Sequence, residues 1–82
     1  MKKLYLVISD IEKQQLKDGR LKEIIRPCTM YYSTLLSFGE YTHVEMYIVG
    51  GKKVGLKKIK SLALNQDEMK YIIKVEQNED KD

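Results

Sequence analysis

The pair Gly50-Gly51 stands between two runs with the period of a β-strand, and it constrains the fold more than any other two residues in the chain. Before it, residues 42–49 alternate, setting Val44, Met46 and Ile48 opposite His43, Glu45 and Tyr47. Successive side chains of a strand point to opposite faces, so this run predicts a strand with one apolar and one polar face. Two glycines accept the positive φ that a tight two-residue hairpin turn demands, which brings residues 52–64 back antiparallel. Gly55 and the Lys57-Lys58 pair interrupt that long second run, and a bulge there would bend it around a small barrel.

The remaining elements follow from local chemistry. Residues 3–8 are apolar on both parities, as in a central strand covered on both faces. Ser9-Asp10-Ile11-Glu12 is a capping box that starts a helix running to about Asp18, and Gly19 supplies the left-handed residue that stops it. Residues 21–26 read as a second strand ended by Pro27, with Leu21, Glu23 and Ile25 on one side and Lys22, Ile24 and Arg26 on the other. Thr29 caps a short helix whose stripe is Tyr31, Leu35 and Phe38, with Gly39 at its end. After a turn at residues 65–68, Met69, Tyr71, Ile73 and Val75 alternate in a last strand. The expected fold is α+β: a five-stranded barrel or strongly bent mixed sheet with two short helices.

A chain of 82 residues supports one core and not two, so residues 1–76 form a single domain and the polar residues 77–82 form an acidic, disordered tail. So small a domain gains stability from self-association, which makes a homodimer one expectation. Cys28 is the only cysteine, which excludes an internal disulfide and a multi-cysteine zinc site and fits a reducing, cytoplasmic setting. His43 is the only histidine, so no metal is expected, and no motif calls for a cofactor. The apolar run at residues 4–8 is too short for a signal peptide core or a membrane span. Net charge is +3, the tail carries −2, and five lysines fall between Lys52 and Lys60 with no acid among them. Charge clustered in this way points to a polyanionic partner.

The segment Gly19-Arg20-Leu21-Lys22-Glu23-Ile24-Ile25-Arg26, followed by Tyr31-Tyr32 and Leu35-Leu36, resembles the ASCH signature of the PUA-like superfamily. In that family a helix ends in glycine, a strand of the form GxKxxExR follows, and a subset continues with an aromatic pair and a leucine. Gly19 and Arg26 fall at the required separation, and Lys22 and Glu23 match the charged centre of that subset. The resemblance spans about residues 3–76 and implies a PUA-like fold with RNA or a nucleotide as partner. Two positions depart from it: Leu21 replaces the motif lysine and Ile24 its glutamate. Relatives that hydrolyse acetylated cytidine use that lysine in catalysis, and leucine can neither transfer a proton nor act as a nucleophile. The resemblance therefore implies a binding module ahead of an enzyme.

On this reading Lys22 and Arg26 share a strand face and contact phosphates, while Tyr32 offers a ring for base stacking. Lys52, Lys53, Lys57, Lys58 and Lys60 extend the electrostatic footprint. Tyr31, in the helix stripe, is assigned to the core, and Cys28 to a buried structural role. Edge protection against sheet-to-sheet pairing explains the lysine cluster as well as polyanion binding does. Two alternatives stand beside the binding module. One is an amidohydrolase or nuclease with Lys22 and Glu23 as its acid/base groups. The other is a protein-binding adaptor or inhibitor from a mobile element, suggested by the small size and the absence of a complete catalytic set.

Overall fold

Seven elements follow one another in the computed structural model, which describes residues 2–37 and 39–76: β1 (Lys3–Val7), α1 (Asp10–Lys17), β2 (Glu23–Pro27), α2 (Met30–Ser37), β3 (His43–Tyr47), β4 (Lys53–Asn65) and β5 (Lys70–Val75). Phe38 and the acidic tail lie outside the described residues. The glycine pair turns the chain as expected, but the loop has three residues, Val49, Gly50 and Gly51. Gly51 N donates to Ile48 O at 2.9 Å and Ile48 N to Lys52 O at 3.0 Å, with φ of +105° at Gly50 and +92° at Gly51. These closing bonds are why β3 ends at Tyr47 and not at Val49.

β4 serves two neighbours. Its first half pairs with β3 as far as Lys58, and its second half pairs with β5 from Ile59 onward. Register slips between Met46 and Tyr47 and between Ile59 and Ser61 leave Val54 and Lys60 as extra residues. The bulges thus bracket the Gly55 to Lys58 stretch instead of falling within it, and each adds local twist to the strand. The sheet order is β1-β3-β4-β5-β2, with β1 parallel to β3 and the other pairs antiparallel. The result is an open mixed sheet, not the closed barrel, because β1 and β2 stand at opposite ends of the order without a ladder between them.

That order also corrects the place of β1, which is an edge strand and not a central one. Leu4, Leu6 and Ile8 are buried, whereas Tyr5 is 58% exposed and Val7 57%. Apolar residues on both parities here mark a strand with one packed face and one bare face. The helices explain the asymmetry, since Leu16 of α1 and Tyr32, Leu35 and Leu36 of α2 all join the core on the packed side. Val44, Met46, Tyr71, Ile73 and Val75 complete that core.

The local signals for α1 hold in detail. Ser9 Oγ accepts from Glu12 N at 3.2 Å while Ser9 N donates to Glu12 Oε1 at 3.0 Å, the reciprocal capping box. At the other end Arg20 N donates to Gln15 O at 2.8 Å and Gly19 N to Leu16 O at 3.1 Å, with Gly19 at φ +75°, a Schellman arrangement that satisfies two orphan carbonyls. In α2 the stripe is Tyr32, Leu35 and Leu36, one position out of phase with the expected one, and Tyr31 is 66% exposed. Leu21 and Ile24 were expected on opposite faces, yet both are buried. β2 begins only at Glu23, so strand alternation does not reach back to Leu21, and Pro27 is its last residue instead of lying beyond its end.

Candidate nucleic-acid interface

Arg26 stands on β2 with its side chain turned across the open seam towards β1. Its two terminal nitrogens make four hydrogen bonds: Nη1 to Glu12 Oε2 and to Ile25 O, each at 2.8 Å, and Nη2 to Glu12 Oε1 at 2.9 Å and to Val7 O at 3.0 Å. The Arg26 and Glu12 side chains are only 11% and 16% exposed. Burial pushes the Glu12 carboxyl up, but the Arg26 hydrogen bonds, the Ser9 amide and the Arg26 charge outweigh it and hold the group below its ordinary value. Burial likewise pulls the guanidinium down, and Glu12, with a smaller contribution from Tyr32, brings it above its usual value. The same Glu12 that caps α1 therefore ties α1, β1 and β2 together through Arg26. Neither terminal nitrogen has a hydrogen left for a phosphate.

The other motif positions are also built into the fold. Leu21 is 1% exposed, and burying a leucine contributes about 1.5–3 kcal/mol, so core packing accounts for an apolar residue at this position. Tyr32 is half-buried against the core and meets Tyr31 edge to face, with ring centroids 4.9 Å apart. The helix places Tyr31, and not Tyr32, in solvent. Cys28 is half-buried, with Sγ 3.5 Å from Ser33 Oγ, which also accepts from Tyr71 Oη at 3.2 Å.

Strand alternation and the two bulges disperse the lysine cluster. Lys52 is exposed at the hairpin, and Lys53 turns to the bare face, where its ammonium lies 2.7 Å from Glu45. Lys57 pairs opposite buried Val44 and so shares the packed side, half-buried, while Lys58 pairs opposite His43 on the bare side. Lys60 is the bulge residue and joins Lys22, Glu23 and Lys74 around a shallow surface concavity. Seven residues of strand separate Lys53 from Lys60, roughly 23 Å of chain, so Lys22 and Lys60 form one basic locus and Lys52 and Lys53 another.

At the second locus the fold adds two lysines that sequence reading did not single out. Lys13 and Lys17 are i, i+4 on α1, with Leu16 packed inward between them. They line a groove with Lys52, Lys53 and Val54 of the hairpin. Among the described residues none of Lys13, Lys17 and Lys52 is in an ion pair. The groove thus has an apolar floor of Leu16 and Val54 and a rim of cations. The pattern was readable as a charged helix face, but its juxtaposition with the hairpin was not.

Beside the groove, on the bare face of β1, β3 and β4, sits the one buried acid among the described residues. Glu45 keeps 6% of its side chain exposed, under Lys53 Nζ at 2.7 Å and Lys3 Nζ at 3.5 Å. Tyr47 Oη donates to Glu45 Oε1 at 2.7 Å. The Lys53 bond, then the Tyr47 bond, and beyond them the charges of both lysines lower the Glu45 carboxyl to about 2, against the opposing effect of burial. The carboxylate orients these groups and is occupied by them. It is not poised to act as a general base. Next to it, Tyr5 and Tyr47 stand with ring centroids 6.2 Å apart and planes at 50°.

Among the described residues there is no group of three or more His, Cys, Asp or Glu side chains that could hold a metal ion, and no helix is long and apolar enough to cross a membrane. His43 Nδ1 lies 2.8 Å from Thr42 Oγ1. The chain matches no family model, no curated protein and no solved structure.

Proposed function

We propose that this chain is a small RNA-binding module of the PUA-like, ASCH type, and that it holds the RNA backbone in the groove between α1 and the β3–β4 hairpin. The observation that carries the reading is the convergence of Lys13, Lys17, Lys52 and Lys53 on one groove, from two elements far apart in sequence. Ammonium groups along an apolar-floored groove attract a phosphate backbone without selecting its sequence. The buried Leu21 favours binding over hydrolysis, because the position at which the ASCH motif carries its catalytic lysine is core here.

The test is a fluorescence-polarisation titration of a labelled single-stranded RNA at several salt concentrations. Lys53 is engaged by Glu45, which leaves three lysines to displace counterions. The slope of log affinity against log salt is then about −2, so a threefold rise in salt weakens binding about tenfold. Lys13→Gln with Lys17→Gln weakens binding and flattens the slope to about −0.7. Absence of binding at low salt, or a slope unaffected by the two substitutions, overturns the reading.

A further inference from the structure

We infer that the bare face of β1, β3 and β4 is a base-stacking platform, so that the nucleic acid taken by this chain is single-stranded with unpaired bases and not duplex. The inference rests on the RNA-binding reading above and names its ligand class. The packed side of the sheet receives both helices, whereas this side receives neither and displays Tyr5, Val7, Tyr47 and Leu56. Three of these, Tyr5, Val7 and Leu56, are large exposed hydrophobics. They are neighbours by register: Tyr5 pairs opposite Glu45, Val7 opposite Tyr47, and Glu45 opposite Leu56. The four therefore form one continuous surface, and an uncovered apolar surface of this kind marks an interaction site.

Charge complementarity selects the occupant. Lys3, Lys53 and Lys58 rim the surface, and the single acid within it, Glu45, lies beneath two of those lysines and is neutralised by them. A partner must then bring flat apolar faces together with negative charge, which is the chemistry of a nucleic acid strand whose bases are free. A duplex presents its phosphates but hides its base faces, so it can use the groove and not the platform. The Tyr47 hydroxyl bonded to Glu45 fixes that ring before any ligand arrives, which lowers the ordering cost of stacking on it. Lys53 belongs to both regions, lining the groove and reaching Glu45 on the face, so a strand held by its backbone at the groove lies beside the platform.

Titrations of the wild-type chain and of Tyr5→Thr with a short labelled single-stranded RNA and with a blunt-ended RNA duplex of the same composition test the inference. Threonine is a strong strand former, as tyrosine is, and removes the ring. A base stacked on an aromatic ring is worth enough that Tyr5→Thr weakens single-strand binding about fivefold or more, with the salt slope unchanged and duplex binding unaffected. Equal affinity for both RNAs, together with no effect of Tyr5→Thr, overturns the platform and leaves the groove reading standing. No RNA binding by the wild type overturns both. Amide shifts of the wild type on RNA addition give a second readout that needs no variant. Shifts at Tyr5, Val7, Tyr47 and Leu56 support the platform, and shifts confined to Lys13, Lys17 and Lys52 refute it.

Discussion

Replacing Arg26 is expected to unfold much of the molecule's margin of stability instead of subtracting a ligand contact. The guanidinium makes a bidentate pair with Glu12 and also supplies donors to Val7 O and Ile25 O. Removing one partner of a buried pair leaves the other charge uncompensated, which costs ~3–5 kcal/mol, and the residual exposure here argues for the lower end, about 3 kcal/mol. A domain of this size has a total stability of about 4–12 kcal/mol, so the loss is a large fraction of the whole. In urea, with a slope of about 1 kcal/mol per molar for a small domain, the midpoint of Arg26→Met falls by about 3 M, followed by circular dichroism. Arg26→Lys falls nearly as far, since an ammonium cannot span both Glu12 oxygens and two carbonyls. The double variant Arg26→Met with Glu12→Met is more stable than the sum of the single effects predicts, because no lone charge remains. A midpoint shift for Arg26→Met below about 0.5 M, at the same slope, would refute the argument and return Arg26 to the ligand-binding candidates.

Three further outcomes follow from other parts of the fold. A Cβ at Gly55 would lie 2.7 Å from Leu16 Cδ2 and 3.3 Å from Met46 Cε; Gly55→Val therefore destabilises by about 1–3 kcal/mol through overpacking, seen as a lower urea midpoint, and wild-type stability in that variant would contradict the packing of α1 on β4. Gly19 is held at φ +75° with open space around its α-carbon; Gly19→Ala costs about 1–2 kcal/mol by backbone strain alone, and a neutral result would mean that the helix ends differently. Glu12 and Glu45 both have folded-state carboxyl pKa values below their ordinary ones, that of Glu45 at about 2. The unfolded chain then binds more protons than the folded one between the ordinary value and the lowered one. Stability from these groups is complete above about pH 4.5 and is lost as pH falls towards 2. Melting temperature measured against pH shows this decline, which Lys53→Met reduces; a Glu45 carboxyl that titrates near 4.5 by NMR would remove its basis.

The element order was legible because each element is announced within a few residues. The capping box at Ser9 and Glu12, the left-handed Gly19, the glycine turn and the alternation of β3 and β5 are local chemistry, in which steric and hydrogen-bonding demands are met by neighbours in sequence. Element edges were less so: β2 starts at Glu23 because its register is set by pairing with Lys74 and not by its own alternation. For the candidate site, Lys52 and Lys53 were visible as charge. Lys13 and Lys17 were not, because nothing in an i, i+4 lysine pair says which strand the helix will lie beside.

What the sequence determined by itself is the inventory: two helices, five strands, where each turns, and a basic, singly cored α+β domain. Only the tertiary structure decided which strand is an edge, whether the sheet closes, and what each charged side chain meets. Tyr5 reads as core on the strand pattern and stands in solvent because no helix covers β1 on that side. Arg26 reads as a phosphate ligand and is instead the tie across the seam, through a glutamate fourteen residues earlier. The physical reason is the same in both cases. Backbone preference is settled among near neighbours, whereas burial and ion pairing depend on which distant surfaces the packed chain brings together.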